Sequence, residues 1–458
     1  MVQIARRFGP AEASRALAPL QSLTPTKHAP ALTLPALLEP RSQTLLSGRP
    51  RDGLTGGADR RPPGGDLPPP ARASRLRASA ACVSYRRLVA DRAFLRRFRS
   101  LHPAPLVGFL DNNDFHPALP PHASAPAARA VSLAADFSFS FLPSPDRWVV
   151  RDVRNGRVLL DCAPEDAGEE HPVFTEIAVC DPLHRRCVLL PSVPDDLTNS
   201  VELPRRVEFD RWCELFLAPR GDDGAEDAAA ADETSFEVVW MAQCKSKLVA
   251  FAFSSSTGQW RAVASLAWSD LMTGAGVSSR SPVFFGRQYA LGCFYWIMDL
   301  RDKLLMLNAG RMEFSIADLP PGCHRRQIAI VEAGEARVGM FVLRDHIADG
   351  AVSLHYTVRR GDGDDSNYWQ MEKIIPLDPG FRHYIRGATE RYLLLLRFPE
   401  HLSSSGVHVS SSVERADLEC FSLDVKTMQL ERLCELKHHI LRAHIYTNFP
   451  PSLSSQTI

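Results

Sequence analysis

Two groups of residues have the chemistry to hold metal ions. Cys434, His438, His439 and His444 lie close together near the C-terminus. Thiolate sulfur and imidazole nitrogen are the common zinc ligands, but their spacing here matches no zinc finger and no second Cys pair accompanies them. Asp362, Asp364 and Ser366 have the 1-3-5 spacing of a calcium loop. The glycine such a loop needs at its sixth position is Asn367, and the carboxylate needed at its twelfth is Lys373. A solvated turn is the expected outcome there, and the sequence predicts neither a metal nor a cofactor.

Motifs for catalysis are missing as well. There is no G-x-x-x-x-G-K-[ST], no G-x-G-x-x-G after a strand, no H-E-x-x-H and no G-x-S-x-G. A glycosidase would need converging carboxylates, and no pair can be named from spacing alone. The sequence therefore predicts no enzyme and no catalytic residue. The seven tryptophans (148, 212, 240, 260, 268, 296 and 369) stand beside β-branched or aromatic neighbours, which predicts sheet packing before a ligand-binding face.

The elements that carry these residues have a period of two from about residue 105. Phe137, Phe139 and Phe141 alternate with serines, as in a strand. Trp148–Val153 leads through Asn155-Gly156 into Val158–Leu160, and Asn-Gly between apolar runs is a strong hairpin signal. Further strand–turn–strand units are expected at 177–190, 248–263, 304–316 and 421–433, with a less regular one joining 354–358 to 369–375. Read as the outer strands of successive sheets, these six hairpins predict an irregular, mostly β fold, a β-propeller of about six or more blades over 105–450. A stack of β-sandwiches is the competing arrangement. Arg220–Glu233 is rich in Gly, Ala, Asp and Glu, and is expected to be an acidic loop at 220–233.

The head of the chain differs. Residues 1–73 are expected to be a disordered Pro/Arg/Gly-rich segment, since its prolines break any helix begun there. Over 74–102, Leu76, Ala80 and Val83 fall on one helical face, and Phe94, Phe98 and Leu101 on that of a second short helix. Helices this short cannot form a core alone, so their apolar stripes must pack on either the next domain or a partner.

The 458 residues carry 53 Lys+Arg and 53 Asp+Glu, but unevenly. Residues 1–102 hold 18 basic and 6 acidic side chains, leaving 35 and 47 for 103–458. An acidic body argues against nucleic acid as a partner. The basic head lacks stacking aromatics, which argues the same way. No apolar run reaches the ~20 residues of a membrane-spanning helix, so no membrane partner is expected. Ten scattered cysteines with no C-x-x-C predict reduced thiols and a cytoplasmic or nuclear location.

The segment Leu76-Arg77-Ala78-Ser79-Ala80-Ala81-Cys82-Val83-Ser84-Tyr85-Arg86-Arg87-Leu88-Val89, followed by Asp91 and Phe94-Leu95-Arg96-Arg97-Phe98, resembles the second half of an F-box. In plant F-box proteins this half commonly runs R-A-S-x-V-C-x-x-W-R-R-L-V-x-D-P-x-F-L-R-R-F. Tyr85 stands for the usual Trp and Arg92 for the usual Pro. The remainder resembles the propeller that follows the F-box in a large group of grass proteins. That likeness lies in Val179-Cys180-Asp181-Pro182, Phe294-Tyr295-Trp296, Met312-Glu313-Phe314-Ser315 and Phe421-Ser422-Leu423-Asp424, in that order.

The resemblance implies a substrate-recognition adaptor of a Skp–cullin–F-box ubiquitin ligase, with the propeller binding an unknown target protein. It implies that Leu76, Cys82, Val83, Tyr85 and Leu88 face the Skp-type adaptor. Phe94, Leu95 and Phe98 would complete the F-box core or join it to the propeller. The first half of the motif, of the type L-P-x-D-L-L-x-E-I-L, is not where it should be: Arg60–Pro70 is Arg/Pro/Gly-rich. The abrupt change at about residue 74 predicts that another reading frame upstream encodes the missing helix. With that half missing, a propeller that binds a partner without any ligase is the alternative.

Overall fold

A computed structural model describes residues 104–447, except 112–113, 163–173, 202–212, 220–234, 272–283, 299–301, 321, 324–326, 347–350, 362–366 and 400–417. The chain divides into two units, Met1–Ala104 and Pro105–Ile458. The second is a six-bladed β-propeller. The competing stack of sandwiches is thereby replaced by radially repeated sheets.

Five blades are four-stranded antiparallel sheets formed by consecutive strands. Blade 1 contains β3 (Trp148–Arg154), β4 (Arg157–Cys162), β5 (Ile177–Asp181) and β6 (Arg186–Leu189). Blade 2 contains β7 (Cys213–Ala218), β8 (Glu237–Gln243), β9 (Lys247–Ser254) and β10 (Gln259–Ala267). Blade 3 contains β11 (Phe284–Ala290), β12 (Cys293–Met298), β13 (Lys303–Asn308) and β14 (Glu313–Asp318). Blade 4 contains β15 (Ile328–Glu332), β16 (Val338–His346), β17 (Ala351–Gly361) and β18 (Asn367–Pro376). Blade 5 contains β19 (Phe381–Ala388), β20 (Tyr392–Pro399), β21 (Leu418–Asp424) and β22 (Gln429–Leu436).

Blade 6 is assembled from both ends of the unit. β1 (Leu106–Leu110) pairs with β2 (Phe115–Pro117) on one edge and with β23 (His444–Thr447) on the other. The first strand lies innermost in blades 1 to 5 and β23 does so in blade 6: β3 touches β7, β15 touches β11 and β19, and β23 touches β19 and β3. The C-terminal strand therefore closes the ring.

The middle strands are buried on both faces, which explains their unbroken apolar runs. Period-two geometry sends alternate residues to opposite neighbours. In β20, Leu393 and Leu395 enter the core shared with blade 4, while Leu394 and Leu396 enter the core shared with blades 6 and 1. In β12, Phe294 and Trp296 pack toward blade 2 and Tyr295 and Ile297 toward blade 4. Each blade is thus glued to the next by side chains of both.

Five of the expected hairpins are the outer pairs of blades 1 to 5, as read from sequence. The remaining one, at 148–160, is instead the inner pair β3–β4 of blade 1. Its Asn155-Gly156 turn has positive φ at both residues, 52° and 77°.

The Phe137–Phe141 alternation is not a strand. Asp136 accepts hydrogen bonds from the Ser138 N–H and from the Ser138 and Ser140 hydroxyls, and Phe139 takes φ 53°, so the segment curls into turns. All three rings then pack on the same core, with Phe137 stacked on Phe115 at 3.9 Å. A ten-residue helix that the period-two reading did not anticipate, α1 (Ala125–Ala134), packs on β1 and β2. Among the described residues no helix is long and apolar enough to cross a membrane.

Candidate functional site

Charged side chains gather on the innermost strands, where the blades converge. Asp152 of β3 accepts a hydrogen bond from the Leu217 N–H of β7 at 2.8 Å. It also pairs with Arg287 Nη2 of β11 at 2.9 Å. Arg287 Nη1 donates to the Leu215 carbonyl at 3.1 Å and lies 3.7 Å from Glu214. The guanidinium sits 4.8 Å from the centre of the Phe216 ring. Glu214 accepts a bond from Trp296 Nε1 at 2.8 Å, and Arg442 approaches it to 3.9 Å.

Farther along β3, Arg154 Nη1 donates to Glu390 Oε1 at 3.3 Å and its guanidinium lies 4.0 Å above the Tyr289 ring. These residues come from blade 1, from the β19–β20 turn of blade 5 and from blade 3. Three alternate blades meet there, through the side chains of Arg154, Tyr289 and Glu390.

The electrostatics favour fixed charges over proton transfer. Burial would raise the Asp152 carboxyl, yet Arg287, Arg154 and the Leu217 N–H hold it below its ordinary value. Burial pushes His444, the first residue of β23, down to about 3, with Arg442 and Arg287 adding to the effect and Asp152 opposing it. A general acid near neutral pH needs a raised carboxyl or an imidazole poised near 7, and Asp152 and His444 are neither. The arrangement suits a rigid scaffold.

A second cluster lies where the ring closes. Asp111 follows β1, His116 is in β2, and His438 follows β22. Asp111 Oδ2 is 3.0 Å from His116 Nε2 and 2.8 Å from His438 Nε2, and one ligand atom from each residue falls within 4.8 Å of the others. Asp111 Oδ1 accepts the Asp114 N–H at 2.7 Å.

The residues singled out in the sequence are distributed as follows. Leu76, Cys82, Val83, Tyr85, Leu88, Phe94, Leu95 and Phe98 lie outside the described residues, as do the 1–73 segment, the 220–233 loop, Trp212 and the Asp362/Asp364/Ser366 turn. The C-terminal Cys/His group is dispersed. Cys434 stands opposite Cys420, His439 bonds Arg386 at 3.1 Å, and His444 belongs to the Asp152 cluster. Only His438 joins Asp111 and His116.

Trp148, Trp240, Trp260, Trp268 and Trp296 are buried, and four of them also donate through Nε1, to Pro143, Pro191, Cys244 and Glu214. They are core residues. Nine cysteines are described, and all are free thiols. Tyr368, Met371 and Ile374 stand exposed on β18, the outer edge strand of blade 4.

No family model and no curated protein matches the chain. Among solved structures it is similar to the β-propeller domain of the trilobed protease from Pyrococcus furiosus, at 6% identity and a TM-score of 0.30, covering 63% of this chain and 70% of that one. It is also similar to a chain of a nidogen/laminin complex, at 9% identity and a TM-score of 0.31 over 74% of this chain and 95% of the other. An oligogalacturonate lyase in complex with manganese matches at 8% identity and a TM-score of 0.29, over 65% of this chain and 64% of the lyase. At these scores the likeness carries neither activity nor partner to this chain.

Proposed function

We propose that the chain is a non-enzymatic recognition adaptor of a Skp–cullin–F-box ubiquitin ligase, whose propeller binds a target protein. The supporting observation is the exposed apolar edge of blade 4. The exposed edge of β18, with Tyr368, Met371 and Ile374, suits strand-addition contacts to an extended target segment. The F-box-like segment at 74–102 directly precedes the propeller in the sequence.

The missing first half of the F-box favours a second reading, in which the propeller binds its partner without any ligase. Affinity purification of the tagged full chain separates the two. Skp-type adaptor and cullin should be recovered with the native chain and lost from a Val83→Glu/Leu88→Glu double variant. Recovery of a partner without adaptor or cullin from the native chain would favour the second reading and defeat the first.

A further inference from the structure

We propose that Asp111, His116 and His438 bind one divalent transition-metal ion of the zinc class, which clamps the propeller ring closed. Two imidazole nitrogens and one carboxylate oxygen make a three-ligand donor set that suits zinc over calcium or magnesium. Bonds of about 2.0–2.2 Å at tetrahedral angles place neighbouring ligand atoms roughly 3.3–3.6 Å apart around such an ion. The two nitrogen–oxygen separations here are 3.0 and 2.8 Å, so small side-chain shifts admit the ion.

The surroundings hold the ligands in place. The Asp114 N–H occupies Oδ1, which turns Oδ2 toward both imidazoles. Phe109 stacks on His116 at 4.8 Å and 26°, fixing the plane of that ring. Both Nε2 atoms converge on a single carboxylate oxygen, and a cation satisfies all three atoms at once. The Asp111 side chain is only 6% exposed, whereas that of His438 is 40% exposed, which leaves a path for entry and a coordination position for water.

Position in the fold gives the ion its role. Asp111 follows β1 and His116 lies in β2 of blade 6, and His438 belongs to the connection entering the closing strand, 327 positions from Asp111. Among the described residues four pairs join β1 to β23. A link across so long a loop restricts the unfolded chain strongly.

The test uses purified full-length protein stripped with a chelator and dialysed against Zn2+ or, as a spectroscopic probe, Co2+. The native chain should hold one equivalent more zinc than His438→Gln and His116→Gln, with affinity at the site at least ~10-fold higher. Zinc should raise the melting temperature of the native chain and leave both variants unmoved. The Co2+ form should gain visible absorption that both variants lack. Equal zinc content in the native chain and either folded variant, or no zinc-dependent rise in melting temperature of the native chain, overturns the proposal.

Discussion

Asp152 of blade 1 and Arg287 of blade 3 meet at 2.9 Å, across the inner strand of the blade between them. Arg287 also bonds that intervening strand at Leu215. One guanidinium therefore ties three blades together.

Removing this guanidinium leaves Asp152 and Glu214, whose side chains are 12% and 10% exposed, without their main cation. Arg287→Ala should lower the unfolding free energy by roughly 3–5 kcal/mol, since breaking a buried pair strands the remaining charge. Arg287→Lys should recover only part, because an ammonium cannot span Asp152 and the Leu215 carbonyl as the fork does. Urea denaturation of the full chain measures both. A loss below 1 kcal/mol for the alanine variant would make the network peripheral.

Closure depends on a glycine. A Cβ on Gly387 would stand 2.4 Å from the Ala443 carbonyl oxygen, beside the bond that Ala443 N–H makes to the Arg386 carbonyl. Gly387→Ala should cost about 1–3 kcal/mol by forcing the approach to β23 away from β19. An unchanged denaturation midpoint would contradict this account of the closure.

Much of this architecture is legible in the sequence, for a physical reason. Hairpins are local, so turn chemistry at Asn155-Gly156 and the outer pairs of blades 1 to 5 register within a short window. Blade 6 is not local: β1 and β23 come from opposite ends of the unit, and no window contains both. The same holds for Asp111 and His438, whereas the sequence groups His438 only with Cys434, His439 and His444. A signal for the central network did exist. Asp152 interrupts Val149-Val150 and Val153, and a charge inside an apolar inner strand must be paired. The Phe137–Phe141 pattern misled because a period of two describes side chains, and among the described residues no strand pairs with that segment.

Acid should weaken the fold before its carboxylates protonate. Burial pushes His444 to about 3 and His383 to about 4, with Arg397 adding to the effect on His383. Both lie below the roughly 6.5 of an unfolded histidine, so between these values the unfolded chain binds more protons. Stability is complete above about pH 6.5 and declines as pH falls toward 4. Melting temperature measured from pH 7.5 to 4.5 should fall, and His383→Asn should flatten part of the slope. A flat profile would show that these imidazoles titrate normally.

Cys187 and Cys180 face each other across β6 and β5. A hydrogen bond from the Cys180 thiol lowers Cys187 to about 7, while burial opposes the shift. Thiolate, the reactive form, therefore accumulates as pH rises through 7. Pulse alkylation with mass-spectrometric mapping should find Cys187 half-modified near that pH, and Cys180→Ser should keep a donor and leave the midpoint close by. Cys180→Ala should move the midpoint upward. No difference between the alanine variant and the native chain would contradict the pairing.

The central claim is that a propeller closed by its own C-terminal strand serves as the target-binding part of a ligase adaptor. Titrating purified full-length chain with purified Skp-type adaptor by calorimetry tests it most directly, beside a control protein with an intact F-box. The account predicts a one-to-one complex, weaker than the control and abolished by Val83→Glu/Leu88→Glu. No heat of binding under conditions that saturate the control would contradict it.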